Sequence, residues 1–240
     1  MANGTWVTWL GHATFVLTSP EGRTFLIDPW THGNPSCPED RRQIERLDAI
    51  LVTHAHNDHI GDLLTIAEAS APVIVTVPEL GKWLASRNVR RIQSMNVGGV
   101  VDLLGVEVTM TAASHTSSLD EDPFAYVGVA VGYVLRFSDG RRVYHAGDTA
   151  AFDGMRIIGE LHRPDLALLP MGDHHTMGPR EAAFAAGLLR VKRVVPMHYG
   201  LPGTPGTPDQ LRAGLESLGL TDVEVVEMRP GETISIPPPR

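Results

Sequence analysis

Residues 49–59 read AILVTHAHNDH, an apolar run of strand length that ends in a dense polar cluster. In an extended segment alternate residues face the same side, so His54 and His56 are expected to project together. A turn then brings Asp58 and His59 to an adjacent position. Imidazole nitrogens and carboxylate oxygens bind Zn²⁺ and other borderline divalent ions such as Mn²⁺ and Fe²⁺. The two faces of this segment therefore predict two metal ions.

Further polar groups stand at the ends of other apolar runs. His115 follows GVEVTMTAAS, Asp148 follows RRVYHAG, and His198 follows RVVPM. A rigid strand can aim such a terminal side chain into a shared cleft, so we expect these three residues to complete the metal site. Asp28 ends a strand and precedes a proline, and it is suited to accept a ring N–H from a ligand histidine.

Composition limits the class of protein. The chain has 240 residues, 42% of them hydrophobic, and 20 Lys and Arg against 28 Asp and Glu, for a net charge of −8. This predicts one globular domain over 1–240 and disfavours nucleic acid as a partner. The single cysteine, Cys37, excludes an internal disulfide. The longest apolar stretch, 124–135, is too short for membrane insertion, and MANGTWVTWL does not resemble a secretory signal, so we expect a cytoplasmic protein.

The order of predicted elements indicates an α/β fold. Three short strands at the start read as an antiparallel meander, and strands alternate with helices after residue 49. The second part of the chain repeats this plan, with a long strand at 126–137. We infer two similar halves, about 1–115 and 116–240, packed sheet to sheet with helices outside. A doubly wound parallel sheet is the alternative, and the antiparallel start argues against it.

These motifs resemble the metallo-β-lactamase superfamily. The matching landmarks, in order, are Asp28 in LIDPW, the cluster THAHNDH, His115 in AASHTSS, Asp148 in YHAGDT, and His198 in PMHYG. The segments GHATFVL and GDHHTMGP are similar to a bacterial branch that contains ascorbate-phosphate lactonase and is related to the phospholipase D acting on N-acylethanolamine phospholipids. The resemblance implies a four-layer αβ/βα sandwich of the metallo-β-lactamase type.

The resemblance also implies a ligand set. One metal ion would be held by His54, His56 and His115, the other by Asp58, His59 and His198, and Asp148 would bridge them. Antibiotic-degrading relatives with a cysteine ligand would place it near Asp148, so antibiotic hydrolysis is not favoured. Relatives that process tRNA carry a protruding basic arm, for which this chain shows no candidate insertion.

Three residues are assigned catalytic roles. Two cations can share one water molecule, lower its pKa and present a metal-bound hydroxide to a carbonyl or phosphoryl centre, and Asp58 is expected to orient that hydroxide and relay its proton. His12, in a Gly-His turn, is predicted to reach the cleft rim and bind substrate or assist the leaving group, with a purely structural turn as the alternative. His174 is predicted to contact an anionic substrate group, whereas His145 is expected to be packed inside.

The favoured function is a binuclear metal-dependent hydrolase of a small ester, lactone or phosphodiester. Zinc is the first candidate metal, with manganese and iron open. The alternative is a metal-dependent binding or sensing protein with weak or no turnover. A di-iron oxidoreductase ranks last because no flavodoxin-like extension is present. The loops 31–40 and 116–123 should edge a shallow mouth that takes a small, anionic substrate, and a homo-oligomer is left open.

Overall fold

The computed structural model describes residues 4–236, which form strands and helices in alternation after an all-β start. The elements are β1 (Trp6–Trp9), β2 (Phe15–Thr18), β3 (Thr24–Ile27), β4 (Ala49–Leu51), α1 (Asn57–Ile60), α2 (Leu63–Ser70), β5 (Val73–Thr76), α3 (Pro78–Ser86), β6 (Ile92–Ser94), β7 (Val100–Leu103), β8 (Val106–Ala112), β9 (Val131–Arg136), β10 (Arg142–His145), α4 (Gly154–His162), β11 (Leu166–Pro170), α5 (Pro179–Leu189), β12 (Arg193–Met197), α6 (Pro208–Ser217), β13 (Glu224–Val225) and β14 (Thr233–Ser235).

The strands form two seven-stranded mixed sheets. The first has the order β14-β1-β2-β3-β4-β5-β6 and the second the order β13-β12-β11-β10-β9-β8-β7. In the first sheet β1, β2 and β3 pair antiparallel, and β3 to β6 continue parallel. In the second sheet β7 to β10 pair antiparallel, and β10 to β13 continue parallel. The two sheets therefore share one plan.

Alternating side chains of the central strands supply two apolar layers. In β11, Leu168 belongs to the core between the two sheets, whereas Ala167 and Leu169 belong to a second core with the outer helices α4, α5 and α6. On the opposite side, α3 packs on β5 and β6. This arrangement confirms the four-layer αβ/βα sandwich and excludes the doubly wound sheet.

The boundary between the sheets differs from the predicted halves. Strands β7 and β8 precede residue 115, yet they belong to the second sheet. The last strand, β14, returns to the first sheet, where Ile234 pairs antiparallel with Val7. The chain therefore enters the second sheet before residue 115 and closes the first sheet with its C-terminal segment.

The predicted strand 126–137 is too long. Only Val131–Arg136 is extended, because Gly128 has a positive φ of 95° and a β-carbon there would lie 2.5 Å from Val77 Cγ2. β9 is paired on both sides, with β8 and with β10, so this strand has no free edge at which a second copy could pair. The strand β6 was not predicted, because Ile92–Ser94 contains one apolar residue.

The helices begin where the sequence provides starting signals. Proline occupies the first turn of α3, α5 and α6, and α6 also has a capping box between Thr207 and Gln210. Within residues 4–236, no helix has both the length and the apolar character needed to cross a membrane.

The cores lock the strand ends that carry the candidate site. Tyr133 of β9 crosses between the sheets, and its hydroxyl donates to the Val52 carbonyl at 2.7 Å, directly before the histidine-rich segment. This buried hydrogen bond ties the second sheet to the end of β4.

We predict that Tyr133→Phe lowers the free energy of unfolding by about 1–3 kcal/mol, because the buried Val52 carbonyl loses this donor. Tyr144→Phe is the matched control, since Tyr144 is equally buried and its hydroxyl donates to no backbone carbonyl among the described residues. Urea denaturation of both variants measures the difference. Equal losses for the two would show that the inter-sheet hydrogen bond contributes nothing.

Candidate metal centre

Side chains from both sheets converge beyond the ends of their strands. Their ligand atoms fall into three groups, each within 4.8 Å: His54, His56 and His115; His12, Asp58, His59 and His198; and His54, His59 and Asp148. All seven ligands predicted from the sequence belong to these groups. His12 is an additional member, and the third group draws on residues of both predicted metal subsites.

Asp148 lies at the centre of the cluster. Its Oδ2 is 3.0 Å from His198 Nε2, 3.3 Å from His59 Nε2 and 3.7 Å from His115 Nε2. The side chain is almost completely buried, so its carboxylate contacts these imidazoles and not bulk water. A carboxylate in this position can contact ions on both sides.

Asp28 accepts the hydrogen bond expected from a ligand histidine and two more from Thr53. Its Oδ2 accepts a hydrogen bond from His59 Nδ1 at 2.8 Å and from the Thr53 hydroxyl at 2.7 Å, and its Oδ1 accepts from the Thr53 backbone N–H. Because the Thr53 hydroxyl has given its hydrogen to Asp28, it accepts from His54 Nδ1 at 3.0 Å. His54 and His59 therefore both carry hydrogen on Nδ1 and keep Nε2 for a metal.

The first predicted subsite is a compact set of three rings. His54 Nε2 lies 3.0 Å from His56 Nδ1, and the His115 ring centroid is 5.1 Å from that of His54 and 5.2 Å from that of His56. Burial lowers the pKa of all three histidines, with neighbouring His59 lowering them further. Neutral imidazoles present lone pairs, which is the form that a metal ion binds.

The two carboxylates of the cluster, those of Asp58 and Asp148, are ionised. Burial alone would raise the pKa of Asp58, but the hydrogen bond with His12 and the proximity of His59 outweigh it and hold the pKa well below its usual range. His59 and His198 lower the pKa of Asp148 in the same way against its burial. Burial would lower the pKa of His59, yet Asp148 and Asp28 together raise it.

The cluster fits divalent metal ions. Among the described residues, His59 Nε2 and Asp148 Oδ1 are fully buried and have no hydrogen-bond partner. Such atoms are rare in folded proteins unless they meet an ion or water. The donor set is five imidazoles and two carboxylates, and this combination suits borderline divalent ions.

Three buried site residues have left-handed backbone conformations. The φ angles are 54° at His12, 52° at Asp28 and 56° at His198, and all three side chains are buried. This conformation costs a residue with a β-carbon about 1–2 kcal/mol. It persists only where the surrounding structure fixes it. Each of these residues follows a strand closely, so the sharp turn keeps its side chain within the cluster.

The two predicted substrate residues are placed differently. His12, expected at the rim, is instead buried, with Nε2 2.9 Å from Asp58 Oδ2 and its ring 3.9 Å from that of His198. His174 is exposed, and the structure does not bring it into the ligand cluster. Its loop is tied to the Asp148 turn, because the Met177 N–H donates to the Thr149 carbonyl at 3.0 Å.

Sequence reasoning missed residues that support the ligands. These include Thr53, which relays the hydrogen bond from His54 to Asp28, and Ser117, whose hydroxyl accepts from the Ala55 N–H at 3.3 Å. A hydroxyl residue directly before the first histidine was the available signal for Thr53. His145 is packed inside as expected, and its Nε2 donates to the Ala13 carbonyl at 2.9 Å.

Comparisons with known proteins agree with this architecture. The family profile described as "Beta-lactamase superfamily domain" matches residues 23–199. A UPF0173 metal-dependent hydrolase of Koribacter versatilis is 48% identical over 231 residues, which are 95% of this chain and 97% of that protein. Another of Roseiflexus castenholzii is 46% identical over 238 residues, 96% and 97% of the two chains. The structure of Igni18, described as a novel metallo hydrolase from the archaeon Ignicoccus hospitalis, matches with a TM-score of 0.83 at 35% identity and covers 96% and 97% of the two chains.

The sandwich, the buried cluster and these relatives define a metal-dependent hydrolase. The chain belongs to the β-lactamase superfamily, as its motifs predicted, and the match extends along nearly its whole length. This assignment favours the hydrolase over the binding or sensing protein and over the oxidoreductase.

We predict that Thr53→Val lowers metal affinity about 10- to 100-fold, because His54 loses the partner that orients its ring. Thr53→Ser keeps the hydroxyl and should stay close to the natural chain. Competition with a chromophoric chelator measures both affinities. A valine variant that binds metal as tightly as the serine variant would contradict the relay.

Proposed function

We propose that the protein is a binuclear hydrolase that cleaves a small ester, lactone or phosphodiester. The observation that carries the proposal is the pair of ligand groups on either side of Asp148. One contains His54, His56 and His115, and the other contains Asp58, His59 and His198. Since His54 and His59 come from different groups but both lie beside Asp148, two ions bound there would share this carboxylate. Zinc is the first candidate, with manganese and iron as the others.

Asp58 is the proposed proton acceptor. Divalent cations held by these residues would lower the pKa of a bound water molecule and stabilise charge developing on a carbonyl or phosphoryl oxygen. Asp58 is ionised, and its side chain is 39% exposed, compared with 3% for Asp148. It can therefore receive a proton near the open side of the cluster, while Asp148 cannot reach solvent.

Charge favours an anionic substrate. Asp28, Asp58 and Asp148 would bring three negative charges against four positive charges from two divalent cations, so the centre would carry one net positive charge while its bound water is neutral. His174 and His175 are exposed on the loop next to the Asp148 turn, and a histidine there can donate to a substrate oxyanion. We assign His174 to this contact. A cytoplasmic location stays a prediction from the sequence, and a homo-oligomer stays open.

The function is tested by removing metal with a chelator and restoring Zn²⁺, Mn²⁺ or Fe²⁺ in turn. Turnover of a panel of carboxylic esters, lactones and phosphodiesters should return with at least one ion, and Asp58→Asn should lower kcat about 10²- to 10⁴-fold. His162→Gln on α4 is the control and should be unchanged. A chain that holds two ions and yields no product from any substrate would support the binding or sensing alternative.

We predict that His174→Ala raises KM for an anionic substrate several-fold and leaves the number of bound ions unchanged, because the residue lies outside the ligand cluster. His175→Ala is the matched neighbour and should have the smaller effect. Steady-state kinetics with an anionic ester and its neutral analogue measure the difference. Equal effects on both esters would remove His174 from substrate recognition.

A further inference from the structure

We propose that His12 is a positioning residue that holds Asp58 for the second metal ion and does not touch substrate. The proposal rests on the binuclear site proposed above and assigns it an eighth residue. The sequence predicted His12 either at the cleft rim or in a purely structural turn, whereas the structure buries it beside Asp58 and His198.

The contact involves the atom of Asp58 that faces the other ligands. His12 Nε2 is 2.9 Å from Asp58 Oδ2, and the same oxygen is 3.8 Å from His198 Nε2 and 3.9 Å from His59 Nε2. A carboxylate oxygen has two lone pairs. A hydrogen bond donated by His12 uses one of them and leaves the other directed at the space between the two histidines.

Burial excludes the substrate role. The His12 side chain is 4% exposed, while that of Asp58 is 39% exposed. The ring of His198 covers one side of His12 at 3.9 Å between centroids, and Trp30 packs against His12 in a T-shaped contact at 5.1 Å. A substrate can therefore reach Asp58, but it cannot reach His12 without displacing a ligand or the tryptophan.

The backbone of His12 holds a second ligand of the same subsite. Its carbonyl accepts hydrogen bonds from the His198 N–H at 3.1 Å and from the Trp9 indole N–H at 2.9 Å. The turn is closed by the Thr14 N–H on the Gly11 carbonyl, and a β-carbon at Gly11 would lie 2.7 Å from Ser36 Cβ. His12 is therefore a fixed point that contacts His198 through its backbone and Asp58 through its ring.

Asp58 needs this support because its own element is short. It lies in α1, a single turn of four residues whose N-cap residue, His56, makes no capping hydrogen bond with its side chain. A half-exposed aspartate there can rotate towards water, since rotamer freedom is lost only where packing or a hydrogen bond holds the side chain. The His12 contact, from 46 residues away, fixes the carboxylate towards His59 and His198.

Two substitutions separate this role from a structural one. The amide nitrogen of glutamine can take the place of His12 Nε2, whereas that of asparagine stops short near the position of Nδ1. Asparagine suits the left-handed backbone at residue 12 better than glutamine does. A merely structural role therefore predicts that His12→Asn is the milder change, and the proposal predicts that His12→Gln is.

The experiment measures bound Zn²⁺ by native mass spectrometry and by chelator competition for the natural chain and both variants. We expect two ions in the natural chain and in His12→Gln. In His12→Asn we expect the first ion to bind normally and the second about 10- to 100-fold more weakly. Thermal melting of the zinc-free proteins shows whether the asparagine variant is folded. At saturating zinc the kcat of His12→Asn should recover to that of the natural chain, and its KM should equal that of the natural chain.

The outcomes distinguish the two proposals. Fewer than two ions in the natural chain would refute the binuclear function before His12 is considered. Two ions in the natural chain and an unchanged second affinity in a folded His12→Asn would overturn the role of His12 alone. A KM that is raised in His12→Asn and stays raised at saturating zinc would show that His12 binds substrate. An equal loss of the second ion in His12→Asn and His12→Gln would show that the imidazole of His12 is itself a metal ligand.

Discussion

The buried carboxylate of Asp28 is the interaction on which the geometry of the metal centre depends. It has no exposed surface, yet it accepts two hydrogen bonds from Thr53 and one from His59. These bonds decide which ring nitrogen carries hydrogen in His59 and, through the Thr53 hydroxyl, in His54. One carboxylate thus orients a ligand on each side of Asp148. The two proposed subsites would consequently form as one unit.

The burial of carboxylates in this site links metal binding to the stability of the fold. Burying a carboxylate costs several kcal/mol unless an opposite charge lies close by, and Asp28 and Asp148 are both buried here. His59 meets both of them, with contacts of 2.8 Å and 3.3 Å, which is why its pKa is raised. Divalent cations would supply positive charge to this region more fully than one imidazolium can. Because the ligands converge only in the folded chain, their binding also favours folding.

The sequence was informative where metal-ligating side chains directly follow an apolar run that predicts a strand. The histidine-rich segment and the three strand-end ligands could be found because each follows an apolar run, and their side chains come together beyond the ends of the strands. Long-range geometry was not readable in this way. Nothing local to His12 indicates a partner 46 residues away, and Gly128 ends a strand-like pattern through a close approach to Val77 from another element. Neither feature has a periodicity, so both required the folded structure.

The most direct test of this account is anomalous diffraction from crystals of the metal-bound protein, recorded above and below the absorption edge of the ion. The account requires two peaks, one among His54, His56 and His115, the other among Asp58, His59 and His198, with Asp148 between them. A single peak, or peaks that Asp148 does not touch, would contradict it.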